Sequence, residues 1–278
     1  MSSTSTSAPA ATRVAIVTGA SQGIGRAIAI RLASDGLDVA VNDIPSKQSQ
    51  LEEIVKEIQT LGRQGLVIPG DVSKEEDVIA MVEKTVEKFG RLDVMIANAG
   101  VAGGGLLLDT EISAWESVFD VNIRGVILCY KYAAKQMVKQ GFGGRIIGAS
   151  SICGLNGYAG LGAYCISKAS VRSLTQTVSL ELSPYNITVN AYAPGIIQTE
   201  MSAITCLTSF NMSTLDFHLS PLTVLSHVSY NHRQIMKIPD AKVGQPTAVA
   251  SLVSYLVSPE AHFTTGQTIS MNGGAVFN

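Results

Sequence analysis

Short apolar, β-favouring runs recur along the chain at residues 14–17, 39–41, 66–68, 94–96, 146–147 and 187–189. Between them the apolar positions change to helical spacing. Leu51, Ile54, Val55, Ile58 and Leu61 share one helix face, and Val78, Val82, Val86 and Phe89 another. The strand runs lack polar alternation, as expected when helices cover both faces of a sheet. This repeat predicts an α/β fold in one domain, a parallel sheet whose strands are joined by crossover helices without a linker-like break. Open sheets of this kind bind ligands beyond the carboxyl ends of their strands, so candidate chemistry should follow each strand.

After the first run comes Thr18-Gly19-Ala20-Ser21-Gln22-Gly23-Ile24-Gly25, opening into helical sequence at Arg26. Glycines let a backbone turn sharply and approach a diphosphate, while the N–H groups and positive dipole end of the helix hold its charge. Alone, such a turn equally fits an ordinary tight βα connection. Asp43 ends the second run, eighteen positions after Gly25, where a carboxylate can accept both hydroxyls of an adenosine ribose. It would repel the 2′-phosphate of NADP, and no Lys or Arg stands at Gln22, Asn42 or Ile44 to offset it. NAD is therefore the expected cofactor, unless Asp43 merely shapes the turn into Pro45. Asp71-Val72 and Asn98-Ala99-Gly100 follow the third and fourth runs and either face the adenine side of a cofactor or bond loop backbone.

Tyr164 and Lys168 are four residues apart at the start of a long helical pattern, on one face. That spacing by itself describes many solvated helix faces. Reducing a ketone requires a proton donor at the carbonyl oxygen, and a free tyrosine is too weakly acidic to cycle well near neutrality. A neighbouring ammonium would favour tyrosinate and lower the pKa of Tyr164. Ser151 ends the fifth run at the same sheet edge and can donate to the substrate oxygen. Asn122 sits in an otherwise apolar helical stretch, either holding a water that links Lys168 to solvent or bonding backbone as a buried structural amide.

Together these ordered motifs resemble the classical short-chain dehydrogenase/reductase family from about Arg13 to the C-terminus. The resemblance implies a single Rossmann-type, doubly wound domain with a parallel seven-stranded sheet and helices on both faces. It implies a catalytic tetrad of Asn122, Ser151, Tyr164 and Lys168, with Lys168 also bonding the nicotinamide ribose. The turn Pro194-Gly195-Ile196-Ile197-Gln198-Thr199 would receive the nicotinamide, Ile197 through its backbone and Thr199 through its hydroxyl. Acetoin/diacetyl reductases (butanediol dehydrogenases) are the most similar subgroup, and the family habit implies a homodimer or homotetramer packed through the helices around residues 115–138 and 161–182.

The net charge of -2, with 15% charged residues and no basic block, invites neither nucleic acid nor an anionic membrane. No apolar run approaches the ~20 residues of a membrane span. Residues 1–12 are Ser/Thr/Ala-rich without a signal-peptide core, so a disordered tail and a cytoplasmic protein are expected. Cys129, Cys153, Cys165 and Cys206 show no metal or disulfide pattern, and no metal is expected. One segment departs from the rest. Residues 202–232 contain one formal charge, Asp216, and no Lys or Arg. The segment is read either as a divergent hydrophobic lid, about 202–238, over a bulky apolar substrate, or as a stretch foreign to the fold. His218, His227 and His232 lie in it without a carboxylate pattern beside them. The expected partner is thus a small-molecule alcohol or carbonyl compound, of acetoin/diacetyl type or a bulkier terpenoid or cyclic alcohol. The competing function is an NAD(H)-binding sensor or scaffold with little turnover.

Overall fold

The structure, a computed structural model, describes residues 11–200 and 242–277. Strands β1 (Val14–Thr18), β2 (Asp38–Asp43), β3 (Gly65–Pro69), β4 (Val94–Ala97), β5 (Gly144–Ala149), β6 (Ile187–Pro194) and β7 (Thr268–Met271) form one parallel sheet in the order β3-β2-β1-β4-β5-β6-β7. The described helices are α1 (Gly23–Ser34), α2 (Gln48–Thr60), α3 (Glu75–Phe89), α4 (Ile112–Phe119), α5 (Val126–Gln140), α6 (Gly162–Leu182) and α7 (Pro246–Val257). This is the expected doubly wound α/β domain.

Successive strand residues point to opposite faces, and both faces are covered. Ala15 and Val17 pack with Ile28 and Leu32 of α1, Leu51 and Ile58 of α2, and Val253 of α7. Ile16, between them, joins Met81 of α3, Tyr130 and Met137 of α5, and Val171 of α6 on the other side. Two-sided burial explains why β1 has no polar alternation: all five of its residues are buried. The six apolar runs each fall within a strand. β7, an edge strand whose four residues are only partly buried, gave no apolar run because its Ile269 and Met271 alternate with Thr268 and Ser270.

The helical periodicity is correct in α2 except at its end. Leu51, Ile54 and Ile58 are buried, whereas Leu61 lies past the last turn as an exposed cap. In α3, Val78 and Val82 are buried beside Met81 and Thr85, with Val86 and Phe89 packed at the margin. Glu75, Glu76 and Asp77 occupy its first turn, where acidic groups complement the helix dipole. A π-helical turn, Asp120–Gly125, joins α4 to α5.

Strand order reverses at β1, whose neighbours are β2 and β4. The loops leaving β1 and β4 therefore part on opposite sides and leave a crevice at the carboxyl edge. No helix among the described residues is long and apolar enough to cross a membrane. Residues 1–10 of the tail expected over 1–12, and the lid of about 202–238 with His218, His227 and His232, lie outside the described residues.

Candidate active site

The crevice is a cleft of about 350 Å³ that brings together nearly all the residues singled out in the sequence. Gly19, Ser21, Gln22, Gly23, Ile24 and Gly25 line one end, with Asp43, Asp71 and Val72. Asn98, Ala99 and Gly100 lie along its floor, and Ser151, Tyr164, Lys168, Pro194, Gly195, Ile197 and Thr199 complete the wall. Asn122 does not line it. It is buried behind Gly100: a Cβ on Gly100 would stand 3.2 Å from Asn122 Oδ1 and 3.3 Å from Lys168 Nζ.

Close packing makes the glycine turn. Gly19 and Gly23 have φ of +62° and +55°, in the left-handed region. A Cβ on Gly25 would lie 2.1 Å from Gly19 O and 2.6 Å from Asn98 Nδ2. Asn98 ties the turn down, donating to Thr18 O at 2.8 Å and to Gly19 O at 3.2 Å. Its Oδ1 accepts from the Tyr192 hydroxyl at 2.7 Å. Thr18 Oγ1 accepts from the backbone N–H of both Asn98 and Ala99 at 3.0 Å. The Asn98 side chain is thus committed to the backbone of the turn and to Tyr192, and what it offers the cleft is the shape of the turn.

α1 begins at Gly23 with Gln22 as an extended cap whose side chain makes no capping bond, and its first turn holds no acidic residue. Neither a Gln22 side-chain cap nor a first-turn acid therefore neutralises its first N–H groups and positive dipole end, where Gly23, Ile24 and Gly25 line the cleft. That donor set fits a dinucleotide's diphosphate. Asp43 lies beyond it, its Oδ2 accepting from Ser21 N at 3.1 Å and its Oδ1 from Ile44 N at 2.9 Å. Each oxygen keeps a lone pair for a ribose hydroxyl. Asp71 binds its own loop, accepting from Ser73 N at 3.0 Å and Ser73 Oγ at 2.8 Å, as the turn-forming reading allowed.

At the other end Ser151 follows β5 and caps a short 3₁₀ turn (Ile152–Gly154), its Oγ accepting from Cys153 N at 3.1 Å. Tyr164 stands in the first turn of α6 and Lys168 one turn on, so both face the cleft. Lys168 Nζ donates to Ala149 O at 2.9 Å and lies 5.4 Å from the Tyr164 ring centroid. Ser150 Oγ donates to Lys168 O at 2.8 Å, locking the loop after β5 to the helix. Burial pushes Tyr164 above the ordinary tyrosine range, with a hydrogen bond to Ser151 working the other way. Burial also lowers Lys168 to about 8. In the chain without cofactor, burial is thus the largest influence on Tyr164, and it acts in the direction opposite to the acidification expected from a neighbouring positive charge.

Asn122 occupies the π-helical turn, fully buried. Its Nδ2 donates to Val101 O at 2.9 Å and to Ser167 Oγ at 3.1 Å, while its Oδ1 accepts from Val101 N at 2.8 Å. These are the backbone bonds expected of a buried structural amide.

Gly195 N donates to Met271 O at 3.1 Å, anchoring the turn after β6 to the outer strand. Ile197 pairs with Gly244 in an isolated bridge. Thr199 faces the glycine turn: a Cβ on Gly23 would be 3.2 Å from its Cγ2.

From the sequence alone Tyr192, Cys153 and Lys47 had no site role, and Thr18 had no task within the glycine motif. Thr18 and Tyr192 reach Asn98 from β1 and β6, and Cys153 lines the cleft two residues after Ser151. Lys47 lies at the end of a short turn (Pro45–Lys47) after β2, beside Gln22. Pro45, which turns the chain back, was its only signal.

The short chain dehydrogenase family model matches residues 13–206. A short-chain dehydrogenase/reductase of Armillaria gallica is 44% identical over 267 residues, covering 96% of this chain and 97% of that protein. Among solved structures, the acetoin dehydrogenase of Enterobacter cloacae superposes with a TM-score of 0.79 at 33% identity, covering 96% of each chain. The 3-ketoacyl-(acyl-carrier-protein) reductase of Brucella melitensis, complexed with NADH, superposes with a TM-score of 0.80 at 27% identity, covering 95% of this chain and 98% of that one.

Proposed function

Because the chain belongs to the short-chain dehydrogenase/reductase family, we propose that it is an NAD(H)-dependent oxidoreductase interconverting a secondary alcohol and a ketone, with Tyr164 as the acid/base. One observation carries this reading. Ser151, Tyr164 and Lys168 line the same cleft as the uncapped α1 N-terminus and Asp43.

When bound, the reduced nicotinamide supplies the hydride for reduction and its oxidised form accepts one in the reverse direction. The α1 N-terminus would hold the diphosphate, Asp43 the adenosine ribose, Lys168 the nicotinamide ribose, and Ile197 and Thr199 the nicotinamide. The Tyr164 hydroxyl gives its proton to the carbonyl oxygen as charge develops there, and Ser151 donates a hydrogen bond to the same oxygen. A neutral resting phenol suits the reduction direction. Lys168, 5.4 Å from the ring centroid, stabilises the tyrosinate left behind. Asn122 holds the backbone of Val101 beside Lys168, where a water relay would reprotonate Tyr164. Oxidation of the alcohol reverses these transfers.

The carbonyl end is lined by Ala102, Ile152, Cys153, Leu161 and Ile196, and its only charged side chain among the described residues is Lys168. This supports an uncharged ketone, from an acetoin or diacetyl type up to a cyclic or terpenoid one. Exposed apolar side chains at Ile127, Val138, Ile166 and Leu180 on α5 and α6 support a homodimer or homotetramer. The test is steady-state NADH oxidation against diacetyl, acetoin, cyclic and terpenoid ketones and a 3-oxoacyl thioester. Turnover of an uncharged ketone, lost in Tyr164→Phe, is expected. Silence across the panel with measurable NADH binding would instead favour a cofactor sensor.

A further inference from the structure

Cofactor choice in the sequence turned on Asp43 and on the lack of a cation at Gln22, Asn42 and Ile44. Folding brings one in from farther along the chain. Pro45 ends β2's course, and the 3₁₀ turn Pro45–Lys47 carries Lys47 back over the start of α1. Its Nζ lies 3.4 Å from Gln22 Oε1, a long contact with a neutral amide, and no carboxylate pairs with it among the described residues. Gln22, Asp43, Ile44 and Lys47 all line the same end of the cleft. Asp43 likewise has no cation against it among the described residues: both its oxygens are held by backbone N–H groups. The ribose end thus presents both a carboxylate and an ammonium to the cleft, neither of them in an ion pair among the described residues.

These two charges act oppositely on the group at the ribose 2′ position. A carboxylate accepts from a 2′-hydroxyl and repels a 2′-phosphate, whereas an ammonium attracts the charged phosphate far more strongly than the neutral hydroxyl. Lys47 is half-buried, so its charge is screened less than that of a fully exposed lysine. Its four-carbon stem can swing from Gln22 to a new anion without backbone movement.

We propose that Lys47 is a second specificity-determining residue, a cationic partner for the 2′-phosphate, so that Asp43 favours NAD(H) while NADP(H) is also bound. This rests on the dinucleotide reading of the cleft.

Equilibrium binding tests it without turnover, by calorimetry with NADH and NADPH and with the fragments AMP and adenosine 2′,5′-bisphosphate. The wild-type chain should bind NADPH roughly ten- to a hundredfold more weakly than NADH. Lys47→Ala should weaken NADPH and the bisphosphate about five- to tenfold more than NADH and AMP, and should flatten the salt dependence of NADPH binding. Lys47→Arg should restore most of the difference, and thermal melts check that each variant is folded. NADPH binding undetectable in the wild type, or an equal effect of Lys47→Ala on both cofactors, overturns the role of Lys47 while leaving the NAD site intact. Failure of both cofactors to bind overturns the dinucleotide reading and the Lys47 role with it.

Discussion

Asn122 and Val101 exchange a pair of hydrogen bonds, Nδ2 to Val101 O at 2.9 Å and Val101 N to Oδ1 at 2.8 Å, as if the side-chain amide were one rung of a sheet. The second Nδ2 proton goes to Ser167 Oγ, which itself donates to Tyr164 O at 2.7 Å. One buried amide therefore joins the loop after β4 to the first turn of α6, where Tyr164 stands.

Asn122→Ala should accordingly damage both stability and turnover. Each hydrogen bond lost to the part-buried backbone of Val101 costs about 0.5–1.5 kcal/mol, and Tyr164 loses part of its support. Urea unfolding should show this loss alongside a drop in kcat of tenfold or more. Asn122→Asp, which can still accept from Val101 N but not donate to its carbonyl, should fall between. Wild-type stability in the alanine variant would refute the clamp.

Tyr164→Phe removes only the hydroxyl from a half-buried ring. The fold and NADH affinity should survive, while kcat drops by about 10²–10⁴ with loss of the proton donor. Fluorescence titration of NADH beside steady-state turnover separates the two effects. Activity above a few per cent of wild type would remove Tyr164 from the chemistry.

Lys168 makes stability depend on pH. Burial lowers it from the ordinary 10.5 to about 8, so between these values the unfolded chain binds more protons than the native one and stability rises with pH. Below about pH 8 the buried ammonium destabilises the fold by an amount on the order of 3 kcal/mol. Lys168→Met gives up the bond to Ala149 O but removes this penalty. It should be inactive yet more stable than wild type by about 1–3 kcal/mol at pH 7. Unfolding curves from pH 7 to 10.5 should show that advantage shrinking as pH rises; an advantage independent of pH would mean burial does not carry it.

Gly25→Ala puts a methyl 2.1 Å from Gly19 O, where backbone rather than a flexible side-chain end would have to give way. Loss of about 3 kcal/mol or more and of NADH binding is expected. Gly157→Ala, where a Cβ meets nothing within 4 Å, is the control and should change neither. Equal behaviour of the two variants in thermal melts would contradict the close packing of the turn.

Much of this molecule was legible because its signals are local. Apolar runs alternating with helical spacing announced a parallel sheet. The glycine turn, Asp43, Ser151 and the Tyr164/Lys168 pair could be found because each sits where a strand stops or a helix starts. β7 was illegible as a run because Ile269 and Met271 alternate with Thr268 and Ser270, and Leu61 was misplaced because spacing does not say where a helix ends. Asn98 was found but its task was not, since its partners Thr18 and Tyr192 lie on other strands.

By itself, then, the sequence determined the doubly wound architecture and the residue types at each strand end, because periodicity and turn chemistry act over a few neighbouring residues. Only the tertiary structure decided what those residues meet: Asn122 with Val101, Tyr192 with Asn98, and Lys47 with Gln22 beside Asp43. Those meetings follow from strand order and from the burial that desolvates Tyr164 and Lys168. Strand order and burial belong to the packed sheet and its helices, and no spacing along the chain records them.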